Sequence, residues 1–138
     1  MSYSYAVTPL LAWLVAGAAK FLINSLNTRR FAFDLIGYGG LPSNHSAIVC
    51  SMATLIALKE GLDHPAFGVA ITLAFIVMLD ANSLRRQIGK QAKAINELAA
   101  ARPHQDRLRE RMGHTRAEIA AGALTGFIVA ISVERLLG

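Results

Sequence analysis

The run VTPLLAWLVAGAAKFLINSL, Val7 to Leu26, decides the fold class. Its twenty residues carry one charge, Lys20, and as an α-helix they extend about 30 Å, one hydrocarbon thickness of a bilayer. Three shorter apolar runs follow, Ala47 to Leu58, Pro65 to Leu79 and Ile119 to Val133, with 12, 15 and 15 residues. Each needs polar helix ends to reach the ~17 residues of a span. With 54% hydrophobic residues in 138, the chain is more apolar than an average soluble domain. The expectation is a single domain over residues 1–138. It is an all-α integral membrane bundle of about four hydrophobic helices, at 6–28, 44–60, 65–80 and 116–136, plus one amphipathic helix at about 81–101. A soluble helical bundle is the alternative, because three of the runs are short.

Charge is concentrated in one stretch. Residues 80–116 hold nine basic against four acidic side chains, net +5, and the rest of the chain is neutral. Such a stretch can meet nucleic acid or anionic headgroups, or mark the cytoplasmic side of a membrane protein. Four adjoining apolar runs favour the last two. Nucleic acid is not expected as a partner, since the stretch lacks interleaved aromatics and any zinc-finger or RNA-recognition signature. If each run spans once, loops 29–43 and 80–116 share one side, and every candidate catalytic group except Lys20 falls there. The positive-inside rule makes that side cytoplasmic. The first span has no Lys or Arg before it and reads as retained, not as a cleaved signal. The single Cys50 lies mid-helix and reads as packing.

Between 84 and 98, Leu84, Ile88, Gln91, Ile95 and Leu98 repeat at spacings of 4 and 3, with Arg86, Lys90, Lys93 and Glu97 opposite. This helix is expected to pack on one side only, on the membrane or against the bundle, with its charged face in water. Arg85 lies on the flank of the apolar stripe and can turn inward. Asp80, one turn before Leu84, needs a cationic or hydrogen-bonding partner.

Polar groups gather where apolar helices begin. Leu41-Pro42-Ser43-Asn44-His45-Ser46 follows Gly39-Gly40 and leads into the second apolar run, setting a hydroxyl, an imidazole and free backbone N–H groups at a helix N-terminus, where anions bind. Ser43 or Asn44 suits the N-cap on structural grounds alone. A protonated His45 in the first turn, however, opposes the helix dipole unless an anion sits beside it. Gly113-His114-Thr115 opens the last run. Thr115 and Glu118 fit a capping box, and Glu118, one turn beyond His114, equally fits a base that orients the imidazole as a nucleophile. Gly17, Lys20, Asn24 and Asn27 form a polar stripe that should face protein; it serves either as interhelical glue or as a route to the arginines Arg29 and Arg30. Gly122 and Gly126 read as a close helix contact. No histidine pair has metal-helix spacing, so neither a metal nor another cofactor is expected.

Together these residues resemble the divergent branch of the type 2 phosphatidic acid phosphatase and vanadium haloperoxidase superfamily. Gly-Gly-Leu-Pro-Ser-Asn-His-Ser at 39–46 is similar to that branch's Gly-Gly-Met-Pro-Ser-Ser-His-Ser. Leu79-Asp80-Ala81 through Leu84-Arg85-Arg86, Gly89-x-Gln91-Ala92, Asn96-x-Leu98 and Gly113-His114 resemble its other signatures. The resemblance implies a metal-independent membrane phosphatase, of a lipid phosphate or pyrophosphate monoester, working through a phosphohistidine. It makes His114 the nucleophile, Glu118 its orienting base in place of the family's aspartate, and His45 the acid. Lys20, Ser43 and Arg29 or Arg30 would hold the phosphoryl oxygens, assisted by backbone N–H groups near Ser43 to His45, with Arg85 or Arg86 replacing a guanidinium whose usual spacing Arg107 and Arg109 each miss by one. Asn44, at the same helix start, is a further phosphate-binding candidate although the family has another residue there. The alternative is an inactive membrane protein that binds anionic lipid phosphate or serves assembly. Membrane lipids are the expected surroundings, in a bacterial inner membrane with the site facing the cytoplasm, and a homodimer suits the short helices.

Overall fold

Four apolar runs and one amphipathic stretch form helices in the described residues. The computed structural model describes residues 3–29, 31, 40–99 and 106–137. Within them lie α1 (Ser4–Thr28), α2 (Asn44–Glu60), α3 (Pro65–Asn82), α4 (Leu84–Ala99) and α5 (Arg116–Leu137). Their ends follow local chemistry. Ser43 caps α2 by accepting from the Ser46 N–H, His64 caps α3 by accepting from the Ala66 N–H through Nδ1, and Pro65 occupies the first helical position, where its missing N–H is harmless. Thr115 and Glu118 close a capping box at α5: the Thr115 N–H donates to the Glu118 carboxylate (2.8 Å), and the Glu118 N–H to the Thr115 hydroxyl (3.2 Å). Arg29 ends α1 in a left-handed conformation.

α2 is the centre of the bundle, packed by α1, α3 and α5. α1 runs antiparallel to it: the Tyr5 hydroxyl donates to Glu60 at one end, and Gly17 faces Asn44 at the other. α5 runs parallel to it, because Gly122 lies against Ser43, Gly126 against Ala47 and Ser51, and Lys59 pairs with Glu134 at 3.2 Å. A Cβ on Gly122 would lie 2.3 Å from the Ser43 carbonyl oxygen, and one on Gly126 would lie 2.3 Å from that of Ala47. Only glycine permits this approach. The two N-termini therefore sit side by side.

The distribution of side chains is inside out relative to a water-soluble bundle. Ala12, Ala16, Ala47, Ala74 and Ala130 are fully buried, while Leu10, Val69, Phe75, Leu124 and Phe127 are about half or more exposed. In lipid the tails are as apolar as leucine, so helices associate through small residues in close contact and turn large ones outward. Among the described residues, three helical stretches are long and apolar enough to cross a bilayer: α1, α3 with its continuation into α4, and α5. Polar ends lengthen α3 to 18 residues and α5 to 22. The enclosed α2 has 17, about 25 Å, so three outer stretches surround a shorter central helix.

α4 turns a third face to the bundle, neither its apolar stripe nor its charged side, so of the two expected placements of the stripe the one against the bundle is not seen. Its buried residues are Gly89, Ala92 and Asn96, whereas Leu84, Ile88, Gln91, Ile95 and Leu98 are exposed. The reason is the segment 106–113, which lies so close that a Cβ on Gly89 would come within 2.4 Å of the Glu110 carbonyl oxygen. Small residues form the groove that accepts this backbone, leaving the apolar stripe outside.

Candidate functional site

A cleft of about 310 Å³ opens at the end of the bundle where α2 and α5 begin. Lys20, Asn44, His45, Arg85, Arg109, Arg111, Gly113 and His114 line it, with Trp13, Ile48 and Met112 as apolar wall. Two helix N-termini point their positive dipole ends to this region, and no carboxylate lines it among the described residues. The chemistry of the lining is that of an anion site.

His114 is held by its backbone. Its N–H donates to the Ala81 carbonyl oxygen at 3.0 Å, one of the acceptors that the end of α3 leaves without an intrahelical partner. Gly113 turns the chain there at φ +82°; a Cβ would meet the Arg86 Cγ at 2.7 Å and the Ala81 oxygen at 3.0 Å. The imidazole is 9% exposed, and neither ring nitrogen has a hydrogen-bond partner among the described residues. A buried unpaired polar atom costs about 1–3 kcal/mol, which marks a ring kept for another use. Burial holds the His114 pKa below its ordinary 6.5; Lys20, His45 and Arg85 push it the same way and Glu118 opposes them. The ring is neutral at pH 7, as a nucleophile must be.

The other groups arrive from separate elements. Lys20 is buried on α1 with its side chain at the cleft. His45 and Asn44 come from the first turn of α2, and Gly17 leaves room for the Asn44 side chain 3.7 Å from where a Cβ would stand. Arg85 Nε donates to Asp80 Oδ2 at 2.6 Å, so the acidic residue has its cationic partner and the guanidinium is aimed into the cleft. Cys, His, Asp and Glu form no cluster of three or more suited to a metal among the described residues.

Several sequence candidates lie elsewhere. Ser43 is fully buried, and its hydroxyl oxygen accepts from the Ser46 hydroxyl at 3.0 Å and the Ser46 N–H at 3.4 Å. Its N–H donates to the Glu118 carbonyl oxygen at 2.9 Å, tying the start of α2 to α5. Glu118 is engaged in its capping box and makes no hydrogen bond to His114. Arg86 is exposed and packs its stem beside Gly113, and Arg29 is exposed at the end of α1. Neither lines the cleft. Arg30 lies outside the described residues. Arg109 and Arg111 join the cleft although sequence reasoning does not place them among the phosphate-binding candidates. The signal that could find them is the alternation of arginine at 107, 109 and 111, which in an extended chain puts one kind of side chain on one side.

Comparison with known proteins gives a family and one relative. The family model described as Divergent PAP2 family matches residues 1–129. The chain is also similar to the uncharacterized membrane protein YuiD of Bacillus subtilis (strain 168), with 34% identity over 142 aligned residues, covering 91% of this chain and 90% of the relative. No solved structure gives a significant match.

Proposed function

Because the chain belongs to the Divergent PAP2 family, we propose that it is a metal-independent membrane phosphatase acting on a lipid phosphate or pyrophosphate monoester. The observation that carries this reading is His114, a buried imidazole with both nitrogens unpartnered at a cationic cleft. One ring nitrogen attacks phosphorus, the ester P–O bond breaks, and the departing lipid oxygen takes a proton from His45. Burial, Arg85 and Lys20 hold the His45 pKa below the ordinary 6.5, and the bound phosphate anion raises it. The phosphorylated ring carries positive charge. The carboxylate of Glu118, whose field already favours a charged ring, stabilises it from the first turn of α5. Water then attacks phosphorus, the P–N bond breaks with its electrons returning to the ring, and neutral His45 takes the proton. Lys20, Asn44, Arg85, Arg109 and Arg111 hold the nonbridging oxygens as charge develops. Ser43 serves by capping the helix that presents His45. Trp13, Ile48 and Met112 offer the lipid side of the substrate an apolar wall.

The cleft end carries the basic stretch, and the opposite end offers Lys59 and Arg135, so the cleft opens to the cytoplasm of a bacterial inner membrane. One observation favours a second reading, a noncatalytic binder of anionic lipid phosphate: Glu118 is engaged by the Thr115 N–H and leaves the ring without an orienting bond. A panel of lipid phosphates offered to the purified protein in detergent, with and without orthovanadate, separates the two. A phosphatase releases phosphate, is blocked by vanadate without a metal requirement, and loses turnover in His114→Ala. Equal background release from both proteins, with lipid phosphate still bound, sinks the phosphatase and leaves the binder.

A further inference from the structure

Asn96 lies outside the cleft lining, yet it controls the segment that supplies two of its cations. The side chain is buried on α4, and its amide makes three hydrogen bonds, all to one stretch of chain. Nδ2 donates to the Leu108 carbonyl oxygen and to Glu110 Oε1, each at 2.8 Å, and Oδ1 accepts from the Leu108 N–H at 2.8 Å. An amide that pairs with both the N–H and the C=O of one residue acts as a neighbouring strand would, and fixes that backbone in position and rotation. Two helical turns earlier, Gly89 lets the Glu110 carbonyl approach the α4 surface. Arg109 and Arg111 follow directly from these anchored residues, two positions apart, and both line the cleft.

We infer that Asn96 is a positioning residue for the cleft: by clamping Leu108 and Glu110 to α4 it sets Arg109 and Arg111 where phosphoryl oxygens bind. The inference rests on the phosphate-binding reading above. His114 has a separate anchor, the bond of its N–H to Ala81. Loosening the clamp therefore weakens binding and leaves the nucleophile in place. Its signature is a rise in the Kd of a phosphate analogue, together with a fall in kcat/KM, whereas a general folding defect lowers the active fraction and leaves Kd unchanged.

The experiment is titration of the full-length protein in detergent micelles with orthovanadate. Asn96→Asp keeps the shape and the acceptor, removes both donated bonds, and sets a carboxylate against Glu110. It is expected to raise the vanadate Kd about tenfold, the loss typical of a hydrogen bond involving a charged group. Adding Glu110→Gln, whose amide can donate to the new carboxylate, is expected to recover most of that affinity. Gly89→Ala pushes the same backbone with Asn96 intact, and should weaken binding even where Asn96→Asp fails to fold. If the wild type binds vanadate and neither Asn96→Asp nor Gly89→Ala changes its Kd, the clamp is refuted while the cleft reading stands. Should the wild type not bind, both fall together.

Discussion

Gly122→Ala adds one methyl group at the seam between α2 and α5 and tests the arrangement that brings the two histidines to one cleft. The new Cβ would lie 2.3 Å from the Ser43 carbonyl oxygen and 2.9 Å from the Ser46 Cβ. Ordinary contact needs roughly 3.5 Å, so the start of α2 must retreat by about 1 Å. The obstacle is backbone, and Ser43 is also bonded through its N–H to Glu118, so no side-chain rotation relieves it. Overpacking of this kind costs about 1–3 kcal/mol. Asn44 and His45 follow Ser43 directly, and a displacement of about 1 Å at a catalytic group can lower a rate about 100-fold. Gly68→Ala is the matched control: nothing lies within 4 Å of a Cβ there, on α3. It should be neutral or stabilise by about 0.5–1 kcal/mol through helix propensity. Denaturant titration of both variants in detergent micelles measures the difference, and vanadate affinity reports the cleft. If Gly122→Ala falls within about 0.5 kcal/mol of Gly68→Ala, the close approach of α2 and α5 is wrong, and with it the geometry of the cleft.

Two further outcomes are expected. Because burial holds the folded-state pKa of His114 below 6.5, the unfolded chain binds more protons than the folded one in mildly acid solution. The contribution of this residue is therefore full above about pH 6.5 and declines as pH falls through that value. Unfolding titrations between acid and neutral pH should show that loss, and His114→Gln should flatten it; an unchanged slope in the variant contradicts the buried neutral ring. If the cleft faces the cytoplasm, as proposed, Thr115→Cys in a Cys50→Ala background resists a membrane-impermeant thiol reagent in intact bacteria and reacts after lysis. Reaction in intact cells places the cleft on the other side.

Capping chemistry and hydrophobic length make the helices legible in the sequence, because both act within a few residues. Thr115 with Glu118 and the motif at Ser43 mark the starts of α5 and α2 to the residue. The need of Asp80 for a partner is legible for the same reason, whereas its pairing with Arg85, five positions on across a helix junction, comes from the structure. Periodicity leaves the placement of α4 open between membrane and bundle because it reports which residues are apolar, not what lies against them. In water the stripe of Leu84, Ile88, Ile95 and Leu98 would be the packed face; beside lipid, the small residues Gly89 and Ala92 take that place. Arg109 and Arg111 escape a sequence reading because irregular chain has no period until a partner, here Asn96, fixes its direction.

Taken alone, the sequence determined an all-helical membrane chain, the starts of α2, α3 and α5 and the presence of phosphate-suited groups beside α2 and α5. These follow from transfer free energies and local hydrogen bonding, which depend on residue type and spacing. Tertiary structure decided which of those groups share one cleft: Lys20, His45, Arg85 and His114 join Arg109 and Arg111, while Ser43, Arg29, Arg86 and the carboxylate of Glu118 stand apart or serve as caps. That selection depends on the parallel packing of α2 with α5 through Gly122 and Gly126, and on the α4 groove that carries segment 106–113. Both are contacts between residues distant in sequence, whose energy exists only after the chain has folded.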